Sequence, residues 1–151
     1  GIRRLPMSGL FLGPGRSALD IEKEILLGFY LPQRRELQAS AHRRVMRPQG
    51  VAIAILNMAV WLARKQDVLS EIHIAIGPAG PLPMRARNTE RFLQGKKPDN
   101  EMIDQALQTL LSETKYRTSA HRATATYRQH LVGVLLKDTF DFAWKRTFQG
   151  E

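Results

Sequence analysis

The stretch GPAGPLPM, residues 77–84, divides this chain into two periodicities. Its three prolines and two glycines leave few backbone donors and no single preferred conformation, so neither a helix nor a strand runs through it. Before it, VLSEIHIAIG (68–77) alternates, with Ile72, Ile74 and Ile76 on one face and Glu71, His73 and Ala75 on the other. That is the period of a half-buried strand. After it, apolar residues recur at spacings of three and four. Met102, Ile103, Ala106, Leu107, Leu110 and Leu111 mark one face of a helix over 100–113, and Asp99 stands where a cap is needed. Met84, Phe92 and Leu93 fit a shorter helix stopped at Gly95. A third, longer helix follows Ser119, with Leu131, Val134, Leu135, Phe142 and Trp144 as its apolar stripe.

Upstream of 68–77 the apolar runs are short or ambiguous. VAIAILNMAVWLAR (51–64) is compatible with a buried strand or a buried helix by period alone. The polar turn Arg64-Lys65-Gln66-Asp67 joins it to the alternating run, and that hairpin arrangement favours a strand. SAHRRVMR (40–47) reads as a partly exposed strand ended by Pro48-Gln49-Gly50, and EILLGFYLP (24–32) as a strand closed by proline. Residues 1–20 hold Pro6, Gly9, Gly13, Pro14 and Gly15 without a sustained period, and read as an extended lead-in. Strands over 21–77 followed by helices over 84–148 predict an α+β fold, and 151 residues suit one domain.

The side chains offer little self-contained chemistry. The absence of cysteine excludes disulfides, thiolate metal sites and cysteine nucleophiles. His42, His73, His121 and His130 form no i, i+4 pair and sit at no metal-ligand spacing from a carboxylate. Glu22 and Glu24, and Asp138 and Asp141, read as solvated carboxylates without a positioned partner for acid–base work. Ser17, Ser40, Ser70, Ser112 and Ser119 lack a nucleophile elbow. FLGPGRSALD (11–20) places Arg16 and Ser17 after a Gly-x-Gly. A phosphate-cradling loop needs four residues between its glycines and then Lys-Ser/Thr, so Pro14 and Gly15 are read as a turn. The net charge of +9 invites an acidic partner, but the basic residues are scattered pairs such as Arg34-Arg35 and Lys96-Lys97. Aromatics at 7% do not interleave with them as a base-stacking platform requires, so nucleic acid is not the expected partner. No apolar run nears the ~20 residues of a membrane span. A cytoplasmic location is expected.

Three segments resemble one family, in order. FLGPGRSALDIEKEIL, through Phe11, Gly13, Arg16, Ser17, Leu19, Glu24, Ile25 and Leu26, resembles the opening of the C-terminal domain of molybdenum-hydroxylase flavoprotein subunits. These are the FAD-carrying medium subunits of carbon monoxide, xanthine and related dehydrogenases. GPAGPLPMRARNTERFLQGK resembles a second phrase of that family through Pro83, Arg85, Ala86, Glu90, Leu93 and Gly95. RATATYRQHLVGVLL resembles a third through Arg122, Ala123, Thr124, Ala125, Tyr127, Arg128 and Leu131.

The resemblance implies a small antiparallel sheet of three to four strands packed against a three-helix bundle. It implies FAD, held mainly by a preceding domain, and a chain that helps enclose the flavin without catalysis of its own. Electrons would begin at a molybdenum subunit and cross an iron–sulfur subunit to that flavin. Leu26 matches a leucine that packs near the flavin in this family. In SAHR, Arg43 stands where the family has a lysine directed at the flavin, and His42 stands at an aromatic position. Arginine keeps the charge but is larger and planar. Arg47-Pro48-Gln49-Gly50-Val51-Ala52 lacks the acid that members carry at this strand start. Arg122 and Arg128 fall on the third helix, where they either contact the preceding domain or line an exposed face. The alternative to this reading is a basic adaptor or nucleic-acid-binding module with no flavin connection.

Overall fold

The computed structural model describes residues 1–47 and 52–148, so most of the divergent stretch from Arg47 to Ala52 lies outside the described residues. The chain forms two compact units, Gly1–Gln33 and Arg34–Glu151.

In the first unit, a 3-10 turn at Met7–Gly9 leads into β1 (Phe11–Gly13) and β2 (Arg16–Ser17). These pair antiparallel, Gly13 opposite Arg16. The residues between are Pro14, which pre-sets a turn φ, and Gly15, whose φ of +68° suits glycine. The Gly-x-Gly is thus a hairpin turn, and the lead-in is less featureless than its sequence suggests. Arg3 clasps Glu24 with Nε and Nη2 at 2.8 and 2.6 Å, and the Asp20 N–H adds a third bond to the carboxylate. Arg3 first, then the Asp20 amide, holds the Glu24 pKa below the ordinary carboxylate value. The clasp is therefore complete above the ordinary carboxylate range and is lost as pH falls through the lowered pKa.

The strand expected over 24–32 is absent, and residues 24–35 carry no regular structure. Ile25, Leu27, Phe29, Tyr30 and Leu31 are all exposed. A strand is made by its pairing partner, and β1 and β2 pair only with each other.

The second unit holds β3 (Gln38–Met46), β4 (Ala54–Lys65), β5 (Val68–Gly77) and β6 (Met84–Arg85) in one antiparallel sheet, ordered β3-β4-β5-β6. Three helices follow: α1 (Arg87–Leu93), α2 (Asn100–Glu113) and α3 (Ala125–Arg146). The expected α+β order of strands before three helices is what the structure has, but the fourth strand of this sheet is β6, which holds Met84, expected in a helix, and not the run 24–32. β4 and β5 turn tightly at Gln66 and Asp67, with Met58 opposite Ile76 and Val60 opposite Ile74. Leu56, Met58, Val60 and Leu62 alternate into the core with Ile72, Ile74 and Ile76. The opposite faces of these strands carry Asn57, Ala59 and Trp61, and Glu71, His73 and Ala75.

The proline-rich stretch ends β5. Its Ala79 is buried, and the Ala79 carbonyl accepts from the Lys115 N–H at 3.0 Å. Gly95, at φ +80°, stops the chain after α1 as expected. Its N–H then donates to the Leu69 carbonyl at 2.7 Å, so the loop pairs with the outer edge of β5. Asp99 caps α2, its carboxylate accepting from the Met102 N–H at 2.7 Å. Asp99→Ala is expected to cost about 1 kcal/mol. The check is urea unfolding: a lower midpoint at unchanged slope is expected, and an unmoved midpoint means the cap does not matter.

The third helix departs from its expected detail. It starts later than Ser119 by several residues, and Thr124 caps it, accepting from the Tyr127 N–H at 3.1 Å. Ser119 instead bridges to Ala123. The buried face runs through Leu131, Val132, Leu135, Leu136, Thr139, Phe140 and Ala143, while Val134 and Phe142 are exposed. The expected stripe therefore shares Leu131 and Leu135 with the buried face and misses Val132, Leu136, Thr139, Phe140 and Ala143. Gly133 brings α3 close to α2, for a Cβ there would lie 3.2 Å from Leu107 Cδ2. No helix among the described residues is long and apolar enough to cross a membrane.

Candidate functional site

Arg43 lies on β3, the edge strand, opposite Met58 of β4. Ala39 and Ala41 are buried while Ser40 and His42 are exposed, so the alternation puts Arg43 on the helix-facing side of the sheet. Its guanidinium rests 4.3 Å from the Phe142 ring centroid on α3, and its Nη1 donates to the His42 carbonyl at 3.2 Å. Among the described residues no carboxylate pairs with it. The exposed Phe142 is thus a seat for a cation rather than a core residue. His42 falls on the opposite face, across from Ala59. Leu26 lies in the first unit, in the extended apolar stretch, and is 50% exposed. The two candidate residues therefore belong to separate compact units.

The face of the sheet turned away from the helices carries a feature that reading the histidines one by one missed. Trp61 and His73 are cross-strand neighbours whose rings lie 4.8 Å apart, and His73 Nε2 stands 2.9 Å from Glu71 Oε1. The signal was the i, i+2 spacing of Glu71 and His73, which on a strand means one face. Among the described residues no group of three or more His, Asp or Glu side chains is arranged to hold a metal ion.

An open cleft of about 510 Å³ lies at one end of the sheet, lined by Asn57, Ala59, Ala75, Pro78, Pro83 and Arg122 among others. Close to the start of β4, Arg128 is only 3% exposed, and its Nη1 donates to the Ile55 carbonyl at 2.8 Å. Burial, then the neighbouring charges of Arg122 and Arg117, lowers its pKa. Burial likewise raises the pKa of the Tyr116 hydroxyl.

The sheet, its helical cover and the resembling motifs define one class of domain. Residues 41–143 match the family model of the CO dehydrogenase flavoprotein C-terminal domain, and this chain belongs to that family. It is 28% identical over 138 residues to a xanthine dehydrogenase FAD-binding subunit of Escherichia coli, covering 91% of this chain and 47% of that protein. It is 32% identical over 137 residues to xanthine dehydrogenase 2 of Arabidopsis thaliana, covering 86% of this chain and 10% of that protein. The chain thus spans about half the length of the bacterial subunit it matches. In fold it is similar to a chain of carbon monoxide dehydrogenase from Hydrogenophaga pseudoflava, in a form lacking the Mo-pyranopterin moiety of the molybdenum cofactor. The TM-score is 0.84 at 24% identity, over 95% of this chain and 49% of that one.

Proposed function

We propose that this domain of an FAD-binding subunit closes over one edge of a flavin held mainly by polypeptide that precedes it. The assembled enzyme would be a molybdenum-containing dehydrogenase, with electrons reaching the flavin from iron–sulfur clusters of a neighbouring subunit. The observation that carries this reading is the family match over 41–143, with alignment to an FAD-binding subunit along nearly the whole chain.

The residues present fit such a role. Leu26 offers exposed apolar surface beside the exposed side chains of Ile25, Leu27 and Phe29. Water-facing surface of this kind gains by burial against another polypeptide or a ring system. Arg43 offers a guanidinium with no carboxylate partner among the described residues. When bound, FAD supplies the two-electron carrier chemistry that no side chain of this domain provides. Leu26 would exclude water from the ring edge. Arg43 would place positive charge beside it, favouring the more electron-rich form.

Arg43→Ala in the assembled enzyme is expected to weaken flavin retention about ten-fold, equivalent to ~1.4 kcal/mol, and to lower the flavin midpoint potential. Arg43→Lys should restore most of both. Losing the contact with Phe142 costs only ~0.5–1 kcal/mol of stability at an exposed site. A purely structural Arg43 would therefore shift the melting temperature slightly and leave the potential alone. Unchanged retention and potential in Arg43→Ala would remove this residue from the flavin site.

A further inference from the structure

Arginine side chains close the free edge of β3. Just before this strand, the Leu37 carbonyl accepts from the Arg64 N–H of β4 at 3.0 Å. Backbone groups alternate in direction along a strand, so the odd-numbered ones here turn toward β4 and the even-numbered ones turn outward. Three of the outward carbonyls each accept from a guanidinium. Arg34 Nε donates to Gln38 at 3.0 Å, Arg146 Nη1 of α3 to Ser40 at 2.8 Å, and Arg43 Nη1 to His42 at 3.2 Å. An edge whose acceptors are taken in this way offers little to an added strand. It offers more to an anion. Each bond commits one N–H of a guanidinium that carries several. None of these three arginines pairs with a carboxylate among the described residues.

The surroundings keep the same sign. Residues 34–47 hold Arg34, Arg35, Arg43, Arg44 and Arg47 against the acid Glu36 alone. The exposed Phe142 ring lies 4.3 Å from the Arg43 guanidinium and 5.9 Å from that of Arg146, so two of the cations share one aromatic support. Guanidinium groups anchored like this lose less freedom when an anion binds. Their anchors also have the pitch of a polypeptide. Residues two apart on a strand stand about 7 Å apart, and so do alternate side chains of a second extended chain. A single-stranded nucleic acid would need open aromatic faces for its bases, and Phe142 is already held against Arg43.

We propose that the arginine-lined edge of β3 docks an acidic, extended segment of another polypeptide, whose carboxylates at alternate positions are received by Arg34, Arg146 and Arg43. Guanidinium groups suit this task because their planar forks match carboxylate oxygens. The surface stands on Arg34 and Arg146, whether or not Arg43 touches a flavin.

The test is fluorescence anisotropy of a labelled peptide of alternating glutamate and threonine, titrated with this chain at fixed, low ionic strength. Saturable binding of one peptide per chain is expected. A peptide of the same composition with its glutamates contiguous should bind about three-fold more weakly. Arg34→Gln and Arg146→Gln should each weaken binding about three-fold, the scale of one exposed ion pair. Lys97→Gln removes the same charge from the loop that pairs with β5, and should leave binding unchanged. All three positions are exposed, so the variants keep the fold. The proposal is overturned if the alternating peptide does not saturate, or if Lys97→Gln weakens it as much as Arg146→Gln does. Tighter binding of an oligothymidylate than of the peptide would overturn it as well. Self-association of the chain in sedimentation, lost in Arg146→Gln, would assign the edge to a second copy and overturn the stated partner.

Discussion

Phe140→Ala is expected to lower the unfolding free energy by about 3–5 kcal/mol. Phe140 is 1% exposed and lies on the face of α3 that closes the core. Its ring stacks parallel to Trp144, with centroids 6.4 Å apart. Removing it deletes a large apolar group and leaves a cavity that the long β4–β5 hairpin, fixed by its register, cannot collapse to fill. Phe142→Ala is the control. Phe142 is 44% exposed, beneath the guanidinium of Arg43, so the loss there should stay below ~1 kcal/mol. Urea unfolding of both variants checks the pair. Equal losses would mean that the buried face of α3 is misassigned.

Glu90→Ala should cost about 3 kcal/mol, at the lower end of what breaking a buried ion pair costs. Glu90 is 6% exposed. One carboxylate oxygen accepts from the Ile74 N–H at 2.8 Å and also from Arg85 Nε; the other accepts from Arg85 Nη2 at 2.7 Å. The carboxylate thus ties α1 to β5 while holding the arginine of β6. The alanine variant strands a buried amide and frees a cation. Arg85 is partly exposed and can rehydrate, which keeps the cost from reaching the upper end. Glu90→Gln should cost less, because an amide oxygen can still accept from Ile74. Losses below ~1 kcal/mol for the alanine variant would show that the carboxylate is not a fastener.

Local pattern determined what could be read from the sequence. The alternation of Ile72, Ile74 and Ile76, the helix over 100–113 with its Asp99 cap, and the stop at Gly95 each depend on neighbours in the chain, and each stands in the structure where its residues place it. EILLGFYLP failed as a strand because strand formation depends on a partner far along the chain or outside it. The α3 stripe failed at Val134 and Phe142 because burial on a helix is decided by what packs against it. Glu90 was legible as part of a family phrase, but its bond to the Ile74 amide is a non-local fact. The candidate site was less legible still. Leu26 and Arg43 came from resemblance, since nothing in their period or spacing singles them out. The burial of Arg128 is a matter of packing, which neither period nor spacing reveals.

The proposed role of this domain is to help hold a flavin bound mainly elsewhere in its subunit. The most direct measurement is flavin absorbance per protein in the purified FAD-binding subunit, prepared with and without the segment corresponding to residues 1–151. Loss of most of the flavin on removing the segment, with the remaining polypeptide still folded by circular dichroism, is the expected result. Full flavin occupancy without it would contradict the claim.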